Sequence, residues 1–208
     1  MIEQEPAVAA ELFGDRIETA RSYVAELGAR GEELGLIGPL EPPRLWSRHV
    51  VNCVLVAPLL TAGGRVGDIG SGAGLPGLVL AIARPDVDLV LIEPMERRVE
   101  WLNAEVDRLG LANVQVVRAR AEEAHLDVRL DQVTARAVSA LRTLIPLAVP
   151  LVRLGGELLL LKGSRVDEEV EAAAKAIRKA HLRDVEVLTL GQGMVPEATR
   201  LFRATVGL

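Results

Sequence analysis

One stretch, Asp68-Ile69-Gly70-Ser71-Gly72-Ala73-Gly74-Leu75-Pro76-Gly77, constrains this chain more than any other. It lies between a short apolar strand pattern at residues 66–69 and a helical pattern at residues 78–84. Alternate glycines let a backbone turn sharply and approach a ligand with no Cβ in the way. Glu93 ends the next apolar run, roughly 20 residues on, where an acid takes up ribose hydroxyls in nucleotide-binding sheets. A strand, a glycine turn, a helix and an acid in that order predict a ligand-binding βαβ unit.

The rest of the chain extends that pattern. Residues 88–92, 114–117, 131–134 and 157–161 read as strands, and residues 185–190 and 201–206 close the chain as two more. Between them, residues 95–109, 141–152 and 166–180 read as helices, with Pro146 and Pro150 interrupting the second. In the helix over 95–109, Val99, Leu102, Val106 and Leu109 point inward and Gly110 is the stop. Alternation of this kind predicts an α/β fold with a doubly wound, mostly parallel sheet and helices on both faces. The near-continuous apolar run at 157–161 suits a strand buried on both sides.

Residues 1–62 carry no such alternation. A helix is predicted over 7–34, with Phe13, Ile17, Ala20, Val24 and Leu27 on one face. A Gly- and Pro-rich break at 35–43 precedes a second helix at 44–60. The organisation expected is an N-terminal helical extension, 1–62, packed on a ligand-binding domain, 63–208.

Composition narrows the function. The net charge of −5 argues against wholesale coating of nucleic acid, though it leaves room for a local basic patch. Cys53 is the only cysteine, which excludes an internal disulfide and a cysteine-rich metal site. It sits in an apolar helix pattern and reads as a packed core thiol. His49, His125 and His181 share no metal-ligand spacing, so no metal is expected; His49, beside Arg48, is the one to follow. No apolar run reaches the roughly 20 residues of a membrane-spanning helix, and the acidic start lacks a signal peptide's pattern. A cytoplasmic location is expected.

Residues 72–77 also fit G-x-G-x-x-G, so a dinucleotide-dependent oxidoreductase is a rival reading. Asp68 counts against it, because a carboxylate leading into the loop ill serves a pyrophosphate and suits a cationic ligand such as S-adenosylmethionine. The glycine turn also comes after a long helical extension, where most dinucleotide domains begin with it. The segment Val152-Arg153-Leu154-Gly155-Gly156-Glu157-Leu158 has the helix, Gly-Gly turn and buried strand typical of methyltransferases. A methyltransferase is the better reading.

The glycine motif extended by Leu75-Pro76-Gly77, then Arg97-Arg98-Val99, Arg136-Ala137 and Leu161-Lys162-Gly163, together resemble the small-subunit (16S) ribosomal RNA methyltransferase G family, also called glucose-inhibited division protein B. The resemblance runs over nearly the whole chain, including Arg48-His49. The family's usual Asp-Ser is replaced by Asn52-Cys53 and, after the second strand, by Glu93-Pro94; Leu75 stands where an aromatic is common. The resemblance implies a seven-stranded Rossmann-like sheet and S-adenosylmethionine-dependent methylation of one guanine N7 in 16S rRNA. It assigns cofactor binding to Gly70, Gly72, Gly74, Leu75, Glu93, Ala121, Glu122 and Arg136. Arg97, Arg120, Lys162 and Arg200 are implied as RNA contacts, with Arg136 and Lys162 positioning the reactants and no residue acting as acid or base. A monomer acting on ribosomal RNA, within the small subunit, is expected. A small-molecule methyltransferase is the alternative.

Overall fold

The computed structural model describes residues 2–207; Met1 and Leu208, the outer ends of the two expected regions, lie outside the described residues. Seven strands form one sheet in the order β3-β2-β1-β4-β5-β7-β6. They are β1 (Arg65–Ile69), β2 (Asp88–Ile92), β3 (Val114–Val117), β4 (Leu130–Arg136), β5 (Val152–Lys162), β6 (Leu182–Leu190) and β7 (Thr199–Val206). The first five run parallel, and β7 lies antiparallel to both β5 and β6. The expected doubly wound, mostly parallel sheet is what the chain builds.

Strand periodicity decides which face each apolar side chain serves. Leu159 and Leu161 of β5 join the core on the side of the N-terminal helices, and Leu158 and Leu160 join the opposite one. In β2, Leu89 and Leu91 divide from Val90 and Ile92 in the same way. Both faces are therefore dry, as a parallel sheet requires. Each fully buried leucine contributes about 1.5–3 kcal/mol.

One layer holds α1 (Ala7–Phe13), α2 (Ile17–Arg30), α3 (Asn52–Val54), α4 (Gly77–Ala83) and α5 (Glu96–Leu109). The other holds α6 (Leu141–Ala148), α7 (Val166–Ala172) and α8 (Ala174–Lys179). Several predicted boundaries need correction. The helix expected over 7–34 is α1 and α2 joined by a 3-10 turn at Gly14–Arg16. Phe13, Ala20, Val24 and Leu27 are buried as expected, with Ile17 half-buried beside them. The α-helix expected over 44–60 is instead a π-helix, Leu45–Val51, running into α3 and a 3-10 turn at Ala57–Leu59. In α5 it is Trp101, Leu102 and Glu105 that are buried, while Val106 and Leu109 pack at the margin.

Val152 begins β5 rather than ending a helix. Pairing jumps from Leu130–Val152 to Gln132–Glu157, so the Gly155-Gly156 segment is a bulge inside the strand. The helix expected over 166–180 divides at Ala173 into α7 and α8. Arg136 is the last residue of β4, not a loop residue beyond it.

Candidate active site

The glycine turn leaves β1 at the point where the strand order reverses between β1 and β4, the place where open α/β sheets bind ligands. Gly70, Gly72 and Gly74 have φ of +69°, +55° and +99°. At Gly72 this matters twice. A Cβ there would be strained, and on its outer side it would meet nothing nearer than the Gly70 carbonyl oxygen at 3.7 Å. The backbone thus offers an open cradle. Gly77 serves packing instead, since a Cβ would lie 2.3 Å from Leu91 Cδ2 and 2.6 Å from Asp68 Oδ2.

Carboxylates fix this loop from below. Glu93 is buried just beyond β2; its Oε2 accepts the Gly72 N–H at 2.9 Å and its Oε1 the Met95 N–H at 2.9 Å. Asp68 is fully buried, and its Oδ2 accepts the Gly77 N–H at 3.0 Å. Its Oδ1 has no hydrogen-bond partner. Burial pushes the Asp68 carboxyl up to about 7, despite the hydrogen bond that the Gly77 N–H supplies. Asp68 is therefore first a brace for the turn, and only its unpaired oxygen is left for the attraction to a cation expected from sequence. An open cradle, an unsatisfied buried carboxylate oxygen and an acid at the end of β2 fit a cationic nucleoside ligand such as S-adenosylmethionine.

Two aromatic side chains hold the same turn from the side. Tyr23 of α2 donates to the Ala73 carbonyl at 3.0 Å, and Trp101 of α5 donates to it at 2.9 Å. Sequence reasoning assigns neither residue to the site, because helical spacing marks a side chain as buried without naming its polar partner. Their scarcity is the signal that could have found them: the chain has one tyrosine and two tryptophans.

Beside the turn opens a cleft of about 850 Å³, lined by Arg48, Asn52, Arg136, Lys162, Arg200 and the segments 137–140 and 197–199 among others. Val138 borders both features, since a Cβ on Gly70 would stand 2.9 Å from its Cγ2. Arg48 has Glu197 at 3.8 Å, Lys162 has Glu169 at 2.7 Å, and Arg200 has Asp167 at 2.7 Å. Arg136 alone of the four has no carboxylate within 4 Å among the described residues, although its charge reaches the buried Asp68 carboxyl. Its Nη2 lies 2.7 Å from His49 Nδ1 and donates to the Arg48 carbonyl at 3.4 Å, and its Nη1 reaches Cys53 Sγ at 3.9 Å.

The sequence-predicted residues thus divide. Gly70, Gly72, Gly74, Leu75 and Glu93 share the glycine turn and its acid, and Arg136, Lys162 and Arg200 share the cleft. Ala121 is buried and Glu122 exposed in a 3-10 turn after β3, at the same sheet edge. Arg97 lies against the Gly35 turn, and exposed Arg120 precedes the Ala121 turn; neither lines the cleft. Cys53 is fully buried, and burial pushes its thiol up to about 11, far from a nucleophile's range.

The sequence profile of a family described as rRNA small subunit methyltransferase G matches residues 16–198. The chain is 72% identical over 206 residues to the ribosomal RNA small subunit methyltransferase G of Clavibacter michiganensis subsp. michiganensis, covering 99% of this chain and 97% of that protein. It is 54% identical to the protein of that name from Pseudarthrobacter chlorophenolicus, covering 97% and 94%. Among solved structures it is similar in fold to a SAM-dependent O-methyltransferase from Thermotoga maritima, with a TM-score of 0.59, 18% identity, and coverage of 76% and 65%. By a profile spanning most of its length and relatives matched end to end, this chain belongs to the rRNA small subunit methyltransferase G family.

Proposed function

We propose that the protein transfers the methyl group of S-adenosylmethionine to N7 of a guanine in small-subunit (16S) ribosomal RNA. The observation that carries this reading is adjacency: an open glycine cradle with its acid, Glu93, borders a cleft faced by Arg48, Arg136, Lys162 and Arg200. Residues 63–208 form the transferase domain in this reading, and residues 1–62 a cap whose Tyr23 steadies the cradle. A monomer in the cytoplasm, acting on RNA within the small subunit, completes it. Among the described residues no helix is long and apolar enough to cross a membrane.

Bound S-adenosylmethionine supplies a methyl group made electrophilic by its sulfonium. The chain's own residues supply position. The turn at 70–74 would present backbone to the ligand, with Leu75 beside it; Glu93 would meet the ribose, and Ala121 and Glu122 would edge the adenine. Arg136 would reach the methionine end of the ligand or the guanine, while Lys162 and Arg200 would flank the RNA. Guanine N7 carries an in-plane lone pair at neutral pH, so no residue need remove a proton. The rate comes from alignment and from excluding water.

Mass spectrometry of 16S rRNA from cells with and without the gene tests the reading. One N7-methylguanosine should disappear with the gene and return with the intact chain. Calorimetry should show binding of S-adenosylmethionine and none of NAD.

A further inference from the structure

The π-helix Leu45–Val51 carries a contact that the proposed reaction does not yet use. His49 stands between Glu41 and Arg136, with Nε2 2.5 Å from Glu41 Oε2 and Nδ1 2.7 Å from Arg136 Nη2. A guanidinium can only donate hydrogen bonds. Nδ1 must therefore accept, which puts the ring proton on Nε2, where it is donated to Glu41. The chain of bonds runs Glu41, His49, Arg136, and it holds in one direction only while the imidazole is neutral.

Burial keeps it neutral. With a side chain only 12% exposed, His49 is held below the usual imidazole value first by desolvation and then by the Arg136 charge; Arg48 adds to this and Glu41 opposes it. Glu41 itself lies below the ordinary carboxylate range, because hydrogen bonds from His49 and Arg44 outweigh its own partial burial. Those are the charged groups that meet the ring: Glu41 from the loop before the π-helix, Arg48 from the π-helix itself, and Arg136 from β4.

The arrangement solves a specific problem. A carboxylate would hold Arg136 but neutralise it, as Glu169 does for Lys162 and Asp167 for Arg200. A neutral imidazole fixes the guanidinium at the cleft without neutralising it. The π-helix brings the second anchor, since the Arg48 carbonyl accepts from the same Nη2 at 3.4 Å. Such wide turns concentrate at functional sites.

We propose that His49 is a positioning residue for methyl transfer, holding Arg136 at the cleft through Nδ1 while Glu41 fixes the ring through Nε2. The proposal deepens, and rests on, the reading of Arg136 as the residue that orients the reactants.

Three substitutions at His49 and a double variant with Arg136→Ala test it, using single-turnover transfer from radiolabelled S-adenosylmethionine to small subunits lacking the modification. His49→Ala should lower the rate on the order of tenfold to a hundredfold, the cost of a misplaced reacting group. His49→Asn sets an acceptor oxygen where Nδ1 was and should restore much of that rate. His49→Gln reaches only towards Glu41 and should not. Combining His49→Ala with Arg136→Ala should slow transfer no further than Arg136→Ala alone, because the two act as one unit. Wild-type transfer should also show an acid limb below the usual histidine value, as protonated Nδ1 evicts Arg136, and His49→Asn should abolish the limb. A wild-type rate in His49→Ala, additive losses in the double variant, or a limb persisting in His49→Asn would each overturn the proposal. A wild-type protein that neither binds S-adenosylmethionine nor methylates the subunit overturns the underlying reading as well, which separates the two failures.

Discussion

Tyr23 and Trp101 share one acceptor, the carbonyl of Ala73, which they reach at 3.0 and 2.9 Å from α2 and α5. The N-terminal layer is thereby bonded to the middle of the glycine turn. Tyr23 is fully buried, and burial drives its hydroxyl well above the usual phenol value, so it is a donor at any physiological pH.

Tyr23→Phe removes that bond while Trp101 still satisfies the carbonyl. The stability cost should be about 0.5–1.5 kcal/mol, or roughly 2–4 °C in Tm for each kcal/mol in a domain of this size. S-adenosylmethionine should bind more weakly, because the free protein must order the turn on binding. Calorimetry and thermal melts on the same preparation check both; unchanged affinity would mean that the turn is rigid without the cap.

The turn itself should fail in two distinguishable ways. Gly72→Val places a Cβ at φ +55° in the open cradle and should abolish S-adenosylmethionine binding. Glu93→Ala loses the acceptor of the Gly72 and Met95 N–H groups along with the proposed ribose contact. Its affinity should fall by about 1–3 kcal/mol, the range for a hydrogen bond to a charged group. Titration calorimetry reads both variants, and wild-type affinity in the pair would remove the ligand from this turn.

How far these features are legible in the sequence depends on whether the cause is local. Strands β2 and β3 match the expected bounds residue for residue, because short runs dominated by Val, Leu and Ile between turns leave little choice. The glycine turn is also legible, from its spacing, and the family resemblance points to Arg136, Lys162 and Arg200 at the cleft but equally to Arg97 and Arg120, which do not line it. The π-helix is not. Its apolar residues Leu45, Trp46, Val50 and Val51 suit any helix, and its geometry is matched by bonds from Arg136 and Asn52 to the Arg48 carbonyl, both made by side chains. The start of β5 is hidden for a similar reason: β4 pairs across the Gly155-Gly156 bulge, which no periodicity announces.

Asp68 should make stability depend on pH in a defined direction. Its carboxyl is raised from 3.8 to about 7 in the folded protein, so the folded state holds a proton that the unfolded chain releases. That contribution is complete below pH 4 and is lost as the pH rises through 7. Asp68→Asn keeps an acceptor for the Gly77 N–H but cannot ionise. The difference in Tm, variant minus wild type, should therefore climb from pH 4 to 7 and level off above it. A flat difference across that range would show that Asp68 is charged throughout.

RNA binding should depend only moderately on salt. The chain carries a net charge of −5, and three of the four cations at the cleft already have a carboxylate nearby. A double-logarithmic plot of affinity against salt should have a slope equivalent to roughly two to five neutralised phosphates. A slope typical of proteins that coat nucleic acid would point to a basic surface elsewhere, with the exposed Arg97 and Arg120 the first to replace.

The chemical step should need no general base. N7 of guanine attacks with a lone pair that is free at neutral pH, so no side chain should contribute a pKa to single-turnover transfer between about pH 7 and 9. Arg136 and Lys162 would act by charge and position, but the structure separates their burdens. Arg136→Ala frees a histidine nitrogen and a carbonyl that accept bonds elsewhere or from water, and should lower the rate across the plateau with little change in Tm. Lys162 is nearly buried, donates to the Ser139 carbonyl at 2.8 Å and pairs with Glu169, so Lys162→Ala should lower Tm as well as rate. Arg136→Lys should recover only part of the activity, because one ammonium cannot bond His49, the Arg48 carbonyl and a reactant with the planar fork those positions match. A rate that rises steeply with pH between about pH 7 and 9, with the rise lost on replacing Glu122, would overturn this mechanism. It would mean that the accepting atom must first lose a proton, and N7 could not be that atom.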